Sequence, residues 1–459
     1  MPLKTVSKRL MQGLLGLVLL LAALWAVPRV SGPNDAQEAA LARMREPMPP
    51  LERNAFPALW LMPYDMPSAE RDRVFAEDLK RFRAMTFAPF PGPEIETGAA
   101  KQISAAAARF PSPVMTTKDS ALFCRGHERC LAKVAADPTA YVALVERHAR
   151  LLDRVESLSR YDGLRHSFGL RFDMPFPPYQ YGNLPRTRHA LLFVQGRREE
   201  AFEGVCRSIT TWRRIGANSD NLVSRMVGSA YAGETYPALF LEMLVETPRE
   251  VALPAACTEA FAPLSDAEVS LCQAMRGEFA YQDSAVGLIG TAAFKSDESF
   301  PDALLPLVFS KEMTLADGAE ALGYFCLPEM QRDMRDDILM PWQQTRSGVW
   351  RLQCVSHATG CMPGEIALPA FDGYSARILD DNAHLRLIAL LVRMRTDTGD
   401  ARPISVRMRA MQDEVGSSVR ELSLGADGRT VRMHNYDTGR GEFREIPLPP
   451  YLRANAAAA

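Results

Sequence analysis

The 459-residue chain carries 53 Lys and Arg against 55 Asp and Glu, with 47% hydrophobic and 24% charged residues. This is a globular composition, long enough for a sizeable core and two or three domains. A net charge of −2 supplies no global field toward nucleic acid or acidic lipid, so neither is expected as a charge-driven partner, and the excess of Arg over Lys reads as genome composition.

The N-terminus is the most informative segment. Lys4, Lys8 and Arg9 precede an uncharged run from Leu10 to Val27. At about 1.5 Å per residue, such a run just spans the hydrocarbon core. Trp25 stands where an indole suits the headgroup interface, and the basic residues before the run predict a cytoplasmic N-terminus. A cleaved signal peptide is the competing reading. The run ends Leu24-Trp25-Ala26-Val27-Pro28 without alternating small residues, and Val30-Ser31-Gly32 is followed by Pro33, which disfavours cleavage. A retained single-pass anchor of a bacterial inner membrane is expected, with the body in the periplasm.

Residues 31–67 hold seven prolines and are expected to form a spacer and an extended segment, with Phe56, Leu59, Trp60 and Tyr64 packed on the body. A helix is predicted over 68–85, and Asp137-Pro138 marks the start of another that runs to about Arg160. His189 to Phe202, turning at Gly196, resembles the hairpin turn of a tetratricopeptide repeat. A second such hairpin is predicted at Ala230 to Leu241, turning at Gly233; two hairpins are fewer than a stable repeat array needs, and ordinary helical-bundle hairpins, which look the same, are the preferred reading. Ser265-Asp266-Ala267-Glu268 is a capping box, from which a helix is expected to about Tyr281. Further helices fit 329–345 and 382–396. Three alternating runs, at Val419 to Leu424, Thr430 to Asn435 and Glu442 to Leu448, predict a three-stranded meander. The expected fold is therefore mainly α: a tip and transmembrane helix (1–30), the spacer (31–67), a helical-hairpin periplasmic body (68–365), and a small α+β module (366–459).

All eight cysteines lie in the exported part: Cys124, Cys130, Cys206, Cys257, Cys272, Cys326, Cys354 and Cys361. An even number in an oxidising compartment predicts bridges. Cys124–Cys130 and Cys354–Cys361 should close locally, each loop containing a glycine that helps the chain turn back. Cys257–Cys272 is expected as a third pair, leaving Cys206 and Cys326 to bridge or stay free. Each short loop also contains a histidine, giving Cys124-x2-His127-x2-Cys130 and Cys354-x2-His357-x3-Cys361. These six residues could instead close one zinc site together. The disulfide reading is preferred, with no cofactor expected.

No Gly-x-Ser-x-Gly, Ser-x-x-Lys, His-Glu-x-x-His or phosphate-binding glycine loop is present. Glu278, in Arg276-Gly277-Glu278-Phe279, is the one carboxylate that stands out, late on an apolar helix beside a glycine that lets another backbone come close. An ion pair with a nearby arginine is the preferred reading, and a desolvated acid–base group the alternative. Residues 172–182 concentrate aromatics and prolines, as a ligand platform or as a loop plugged into the core.

The anchor, the Ala58-Leu59-Trp60-Leu61-Met62-Pro63-Tyr64-Asp65 segment, the Cys124–Cys130 loop and the Arg276 to Phe279 stretch resemble uncharacterised single-span envelope proteins of proteobacteria. That resemblance implies an envelope location and no particular activity. The expected function is a non-enzymatic scaffold binding an envelope protein or component, and the rival is an envelope hydrolase with an acid–base site around Glu278.

Overall fold

The computed structural model describes residues 3–85, 104–112, 115–126, 128–171, 173–289, 305–340, 352–397, 399, 402–412 and 420–453. Helices of eight or more residues are labelled in chain order. The first seven are α1 (Leu3–Ser31), α2 (Asp35–Met44), α3 (Ser68–Ala84), α4 (Pro138–Arg147), α5 (Ala149–Glu156), α6 (Pro185–Val194) and α7 (Arg198–Ala217). Then follow α8 (Leu222–Ala230), α9 (Tyr236–Val245), α10 (Cys272–Val286), α11 (Lys311–Gly323), α12 (Pro328–Arg335), α13 (Ala358–Thr396) and α14 (Ile404–Met411).

The uncharged N-terminal run lies within α1, whose Leu10–Ser31 part has a mean hydropathy of 2.3 and is long and apolar enough to cross a membrane. Its leucines from Leu10 to Leu21 are exposed, facing away from the body. The far end is not free. Trp25 donates to the Leu307 carbonyl at 2.7 Å, and Arg29 donates to the carbonyls of Phe309 and Ser356. The chain then folds directly into α2, started by a reciprocal Asn34–Gln37 capping box. Ala40 and Met44 of α2 pack with Leu315, Ala319 and Leu322 of α11. The segment expected as a spacer thus begins as a helix docked on the body.

The larger core gathers Phe56, Leu59 and Trp60 with Phe75, Phe82 and Phe168. The stretch expected to be extended is a short helix, Phe56–Trp60, and Tyr64 packs against the same core. Asp137 caps α4, accepting from the Ala140 amide at 3.1 Å. The predicted continuous helix is broken at His148, whose Nε2 bonds Asp119 at 3.0 Å, and continues as α5 and a 3-10 turn, Ser157–Arg160.

The first predicted hairpin forms: α6 and α7 meet at Gly196, which turns with φ of 82°. The second does not. Tyr231–Thr235 is a π-helical turn inside one continuous helical run from α8 to α9. Gly233 marks a close approach there and no turn, because a β-carbon on it would press on Asp381 of α13. The Ser265–Glu268 capping box opens only a four-residue helix, Asp266–Val269; Ser270 is extended, and its hydroxyl accepts from Cys272 N to start α10 afresh.

The helix predicted from 329 ends early, at α12. Asp337 follows in the left-handed region with φ of 61°, and residues 341–351 lie outside the described ones. The helix expected over 382–396 is the end of the much longer α13, which runs unbroken past residue 366. The meander is present as β1 (Leu422–Leu424), β2 (Thr430–His434) and β3 (Phe443–Pro447), antiparallel, with Leu422 opposite Met433 and Val431 opposite Ile446. Val431, Met433 and Ile446 point into the larger core.

Four cysteine pairs lie at disulfide distance. Cys124–Cys130 and Cys354–Cys361 close their short loops with Cα atoms 5.5 and 5.8 Å apart. The expected Cys257–Cys272 pair is replaced by Cys206–Cys257 and Cys272–Cys326, with Cα atoms 4.9 and 4.6 Å apart. Cys257 sits on a short helix (Ala255–Ala260) packed along α7, which carries Cys206; Cys272, at the start of α10, faces the Tyr324–Cys326 turn. No free cysteine is left among the eight.

Candidate functional site

Two places concentrate polar chemistry around residues singled out by the sequence. The first is the contact between α10 and the start of α8. A β-carbon on Gly277 would overlap the Asp220 carbonyl oxygen, so the glycine lets the two backbones touch. Next to it, Glu278 Oε1 accepts from the Leu222 amide at 2.8 Å. Leu222 opens α8, and its helix partner for that N–H does not exist, so Glu278 satisfies a donor the helix cannot. Asn221 caps the same end through Ser224 N at 2.9 Å. The arginine expected to pair with Glu278 is elsewhere: Arg276 reaches Glu46.

Asp220 lies beside this end and is itself fully engaged. Its carboxylate accepts from His166 N at 2.7 Å and from the Asn221 side chain at 3.0 Å. Burial raises the pKa of Glu278, helped by the Asp220 charge, and burial raises that of Asp220. Tyr179, from the aromatic loop, bonds the Ser224 hydroxyl at 2.6 Å. His166 donates from Nε2 to the Pro175 carbonyl at 2.9 Å, pinning the same loop; burial lowers its pKa to about 4. The loop is thus largely plugged against the body, with Phe176 its exposed aromatic; Phe172 lies outside the described residues.

This arrangement holds two carboxyl groups of elevated proton affinity side by side, yet their contacts are those of a helix cap and a loop clasp. Two small cavities among the described residues lie elsewhere. One, of about 10 Å³, lies between Arg225 and Asp381; the other, of about 30 Å³, lies between His189 and Tyr236. Each has room for a water molecule or so.

The second place is the joint where α1 meets the body. His357 is fully buried at the start of α13, and its Nε2 lies 2.9 Å from Asp317 Oδ2 of α11. Cys361 Sγ stands 3.2 Å from the same Nε2 and 3.4 Å from the same carboxylate oxygen. Gln37 of α2 donates to Asp317 Oδ1 at 2.9 Å. Ser356 Oγ lies 3.4 Å from His357 Nδ1, and the Ser356 carbonyl takes the Arg29 guanidinium. A β-carbon on Gly360 would overlap Thr314, so this glycine lets the first turn of α13 lie against α11.

Among the described residues, the cysteines of the two short loops do not gather into one zinc site. The Cys124–Cys130 loop sits beside α6 and α9, with buried Arg186 of α6 donating to the Gly126 and Glu128 carbonyls and Glu242 of α9 accepting from Cys130 N; His127 lies outside the described residues. Donors gather instead around Asp317, which lies with Cys354 and Cys361 within 4.8 Å of one another and with His357 and Cys361 at the distances above. Asp317 carried no sequence signal, being one aspartate inside a helix. Asp220 had a faint one, as part of the Ser219-Asp220-Asn221 run that precedes α8.

No family model, curated protein or solved structure matches the chain.

Proposed function

We propose that this chain is a membrane-anchored scaffold of the bacterial envelope, its helical body held in the periplasm to bind a partner protein or envelope component. The observation that carries this reading is the joint: Trp25 and Arg29, at the end of the membrane-length helix, bond directly to backbone carbonyls of the body. A body clamped to its anchor presents its surfaces at a fixed height and orientation, which suits a docking platform. The basic residues before the span support a cytoplasmic N-terminus, and four cysteine pairs at bonding distance suit an oxidising compartment. The engaged carboxylates and water-sized cavities fit a binding body better than a substrate pocket.

The second reading, an envelope hydrolase, draws on one observation: Glu278 and Asp220 are neighbouring carboxyls whose proton affinity is raised by burial. Chemical crosslinking in membranes, followed by affinity capture in detergent and mass spectrometry, tests the scaffold reading. The capture should enrich a defined partner over a control in which α1 carries an unrelated domain. Equal recovery from both would remove the scaffold reading, and hydrolysis of an envelope substrate abolished by Glu278→Gln would install the other.

A further inference from the structure

We propose that Cys354, His357, Cys361 and Asp317 form a redox-gated zinc site at the joint between anchor and body, closed as a disulfide when oxidised and able to take Zn²⁺ when reduced. Two thiolates, an imidazole and a carboxylate are a zinc donor set, whereas hard cations such as Ca²⁺ and Mg²⁺ prefer all-oxygen shells. In a tetrahedral zinc site, neighbouring donors stand roughly 3.3–3.8 Å apart, given the usual metal–ligand distances. Three such edges are already close to that spacing in the disulfide form. His357 Nε2 to Asp317 Oδ2 is 2.9 Å, His357 Nε2 to Cys361 Sγ is 3.2 Å, and Cys361 Sγ to Asp317 Oδ2 is 3.4 Å. Cys354 Sγ lies within 4.8 Å of the Asp317 and Cys361 donors but farther than that from the His357 ring, so once the bridge is cleaved the Cys354 side chain must swing toward His357 to complete the set.

The surroundings fit a metal as well as they fit a disulfide. Gln37 holds Asp317 by its other oxygen, and Ser356 Oγ faces His357 Nδ1, where it can accept that N–H and leave Nε2 free to ligate. His357 and Asp317 are buried, while Cys354 and Cys361 are half-buried and reachable by reductant and ion. The chemistry balances simply. A dithiol reductant gives two electrons and two protons to the Cys354–Cys361 bridge and becomes a disulfide itself. Zn²⁺ then displaces both thiol protons, leaving a site of charge −1 beside the Arg29 guanidinium that holds Ser356.

The test uses the full chain in detergent micelles, reduced with dithiothreitol without denaturant and desalted anaerobically. Cys272 and Cys326 are also half-buried and serve as internal controls. Cobalt(II) should give a thiolate charge-transfer band and tetrahedral visible bands at one equivalent, bleached by zinc. On the wild-type protein, zinc should slow alkylation of Cys354 and Cys361 by tenfold or more without protecting Cys272 or Cys326. His357→Ala and Asp317→Asn should each weaken cobalt binding by at least tenfold. A bridge that stays oxidised under these conditions, an absent charge-transfer band, or protection equal at all reduced cysteines would overturn the proposal. The alkylation footprint needs no variant, so it decides the matter even if a substitution unfolds the chain.

Discussion

Gly277 and Asp220 meet backbone to backbone: any β-carbon at Gly277 would occupy the space of the Asp220 carbonyl oxygen. Gly277 lies inside α10, Asp220 is held in the α7–α8 connection by its bonds to His166 and Asn221, and the overlap is with backbone, so it cannot be relieved by rotating a side chain. Gly277→Ala should push α10 off the start of α8, disturb the Glu278–Leu222 bond, and cost about 3 kcal/mol. Gly373, inside α13 with nothing within 4 Å of its would-be β-carbon, is the counterpart. Gly373→Ala should stabilise by roughly 0.5–1 kcal/mol through helix propensity. Denaturant melts of the two variants check both signs; a Gly277→Ala protein as stable as the parent would contradict the packing described.

Glu278→Gln tests what the carboxylate does at the α8 terminus. The amide oxygen can still accept from Leu222 N–H, while the buried charge is removed. Because burial raises the folded-state pKa of Glu278, the native chain holds that proton more tightly than the unfolded one. Its contribution is then fullest below the unfolded value, near 4.5, and is lost as pH rises through the folded value. Glu278→Gln should therefore melt about 1–2 °C higher than the parent at pH 8, the difference vanishing toward pH 4.5. A loss of several degrees at every pH would mean that the ionised carboxylate is needed at the helix end, as the helix dipole alone would favour.

Local signals in the sequence carried over well where the cause was local. The uncharged run became α1, Asp137-Pro138 started α4, and β1, β2 and β3 turn at Gly428 and Gly441, both with positive φ. Two of the failures share one physical origin, a partner distant in sequence. Gly233 looked like a turn because glycines turn chains, but its use is to admit Asp381. Glu278 looked like one half of an ion pair, but it answers a helix terminus 56 residues away. Gly277 is the instructive exception. Its close approach was legible, and the backbone it admits was not.

Three buried histidines set the acid limit of the fold. Burial lowers the pKa of His166 to about 4, and of His189 and His384 to about 3. In the unfolded chain each protonates near 6.5, so below that pH the unfolded state binds more protons and stability falls with pH. Each contributes up to about 1.4 kcal/mol per pH unit across that window. His166→Gln, which keeps a donor for the Pro175 carbonyl, should flatten the slope of stability between pH 6 and pH 4.5 by about one proton's worth. An unchanged slope would show that His166 already carries its proton in the folded protein.

The cysteine pairs differ in what they constrain, and loop length ranks them. Cys206–Cys257 closes 51 residues and Cys272–Cys326 closes 54, whereas Cys124–Cys130 closes 6. In the chain-entropy account a longer closed loop removes more freedom from the unfolded state, about 4 kcal/mol for the two long ones and about 2 for the short one. The long bridges also join separate elements, α7 to the Ala255–Ala260 helix and α10 to the Tyr324–Cys326 turn, so losing either frees a packed surface as well. Cys206→Ala with Cys257→Ala should therefore cost about twice what Cys124→Ala with Cys130→Ala costs, measured by denaturant melts in detergent. Non-reducing peptide mapping supplies the independent check, since it should recover Cys206 joined to Cys257 and Cys272 joined to Cys326. Recovery of a Cys257–Cys272 peptide would instead bring α10 against the Ala255–Ala260 helix and leave Cys206 buried without its partner, an arrangement incompatible with this packing of α7.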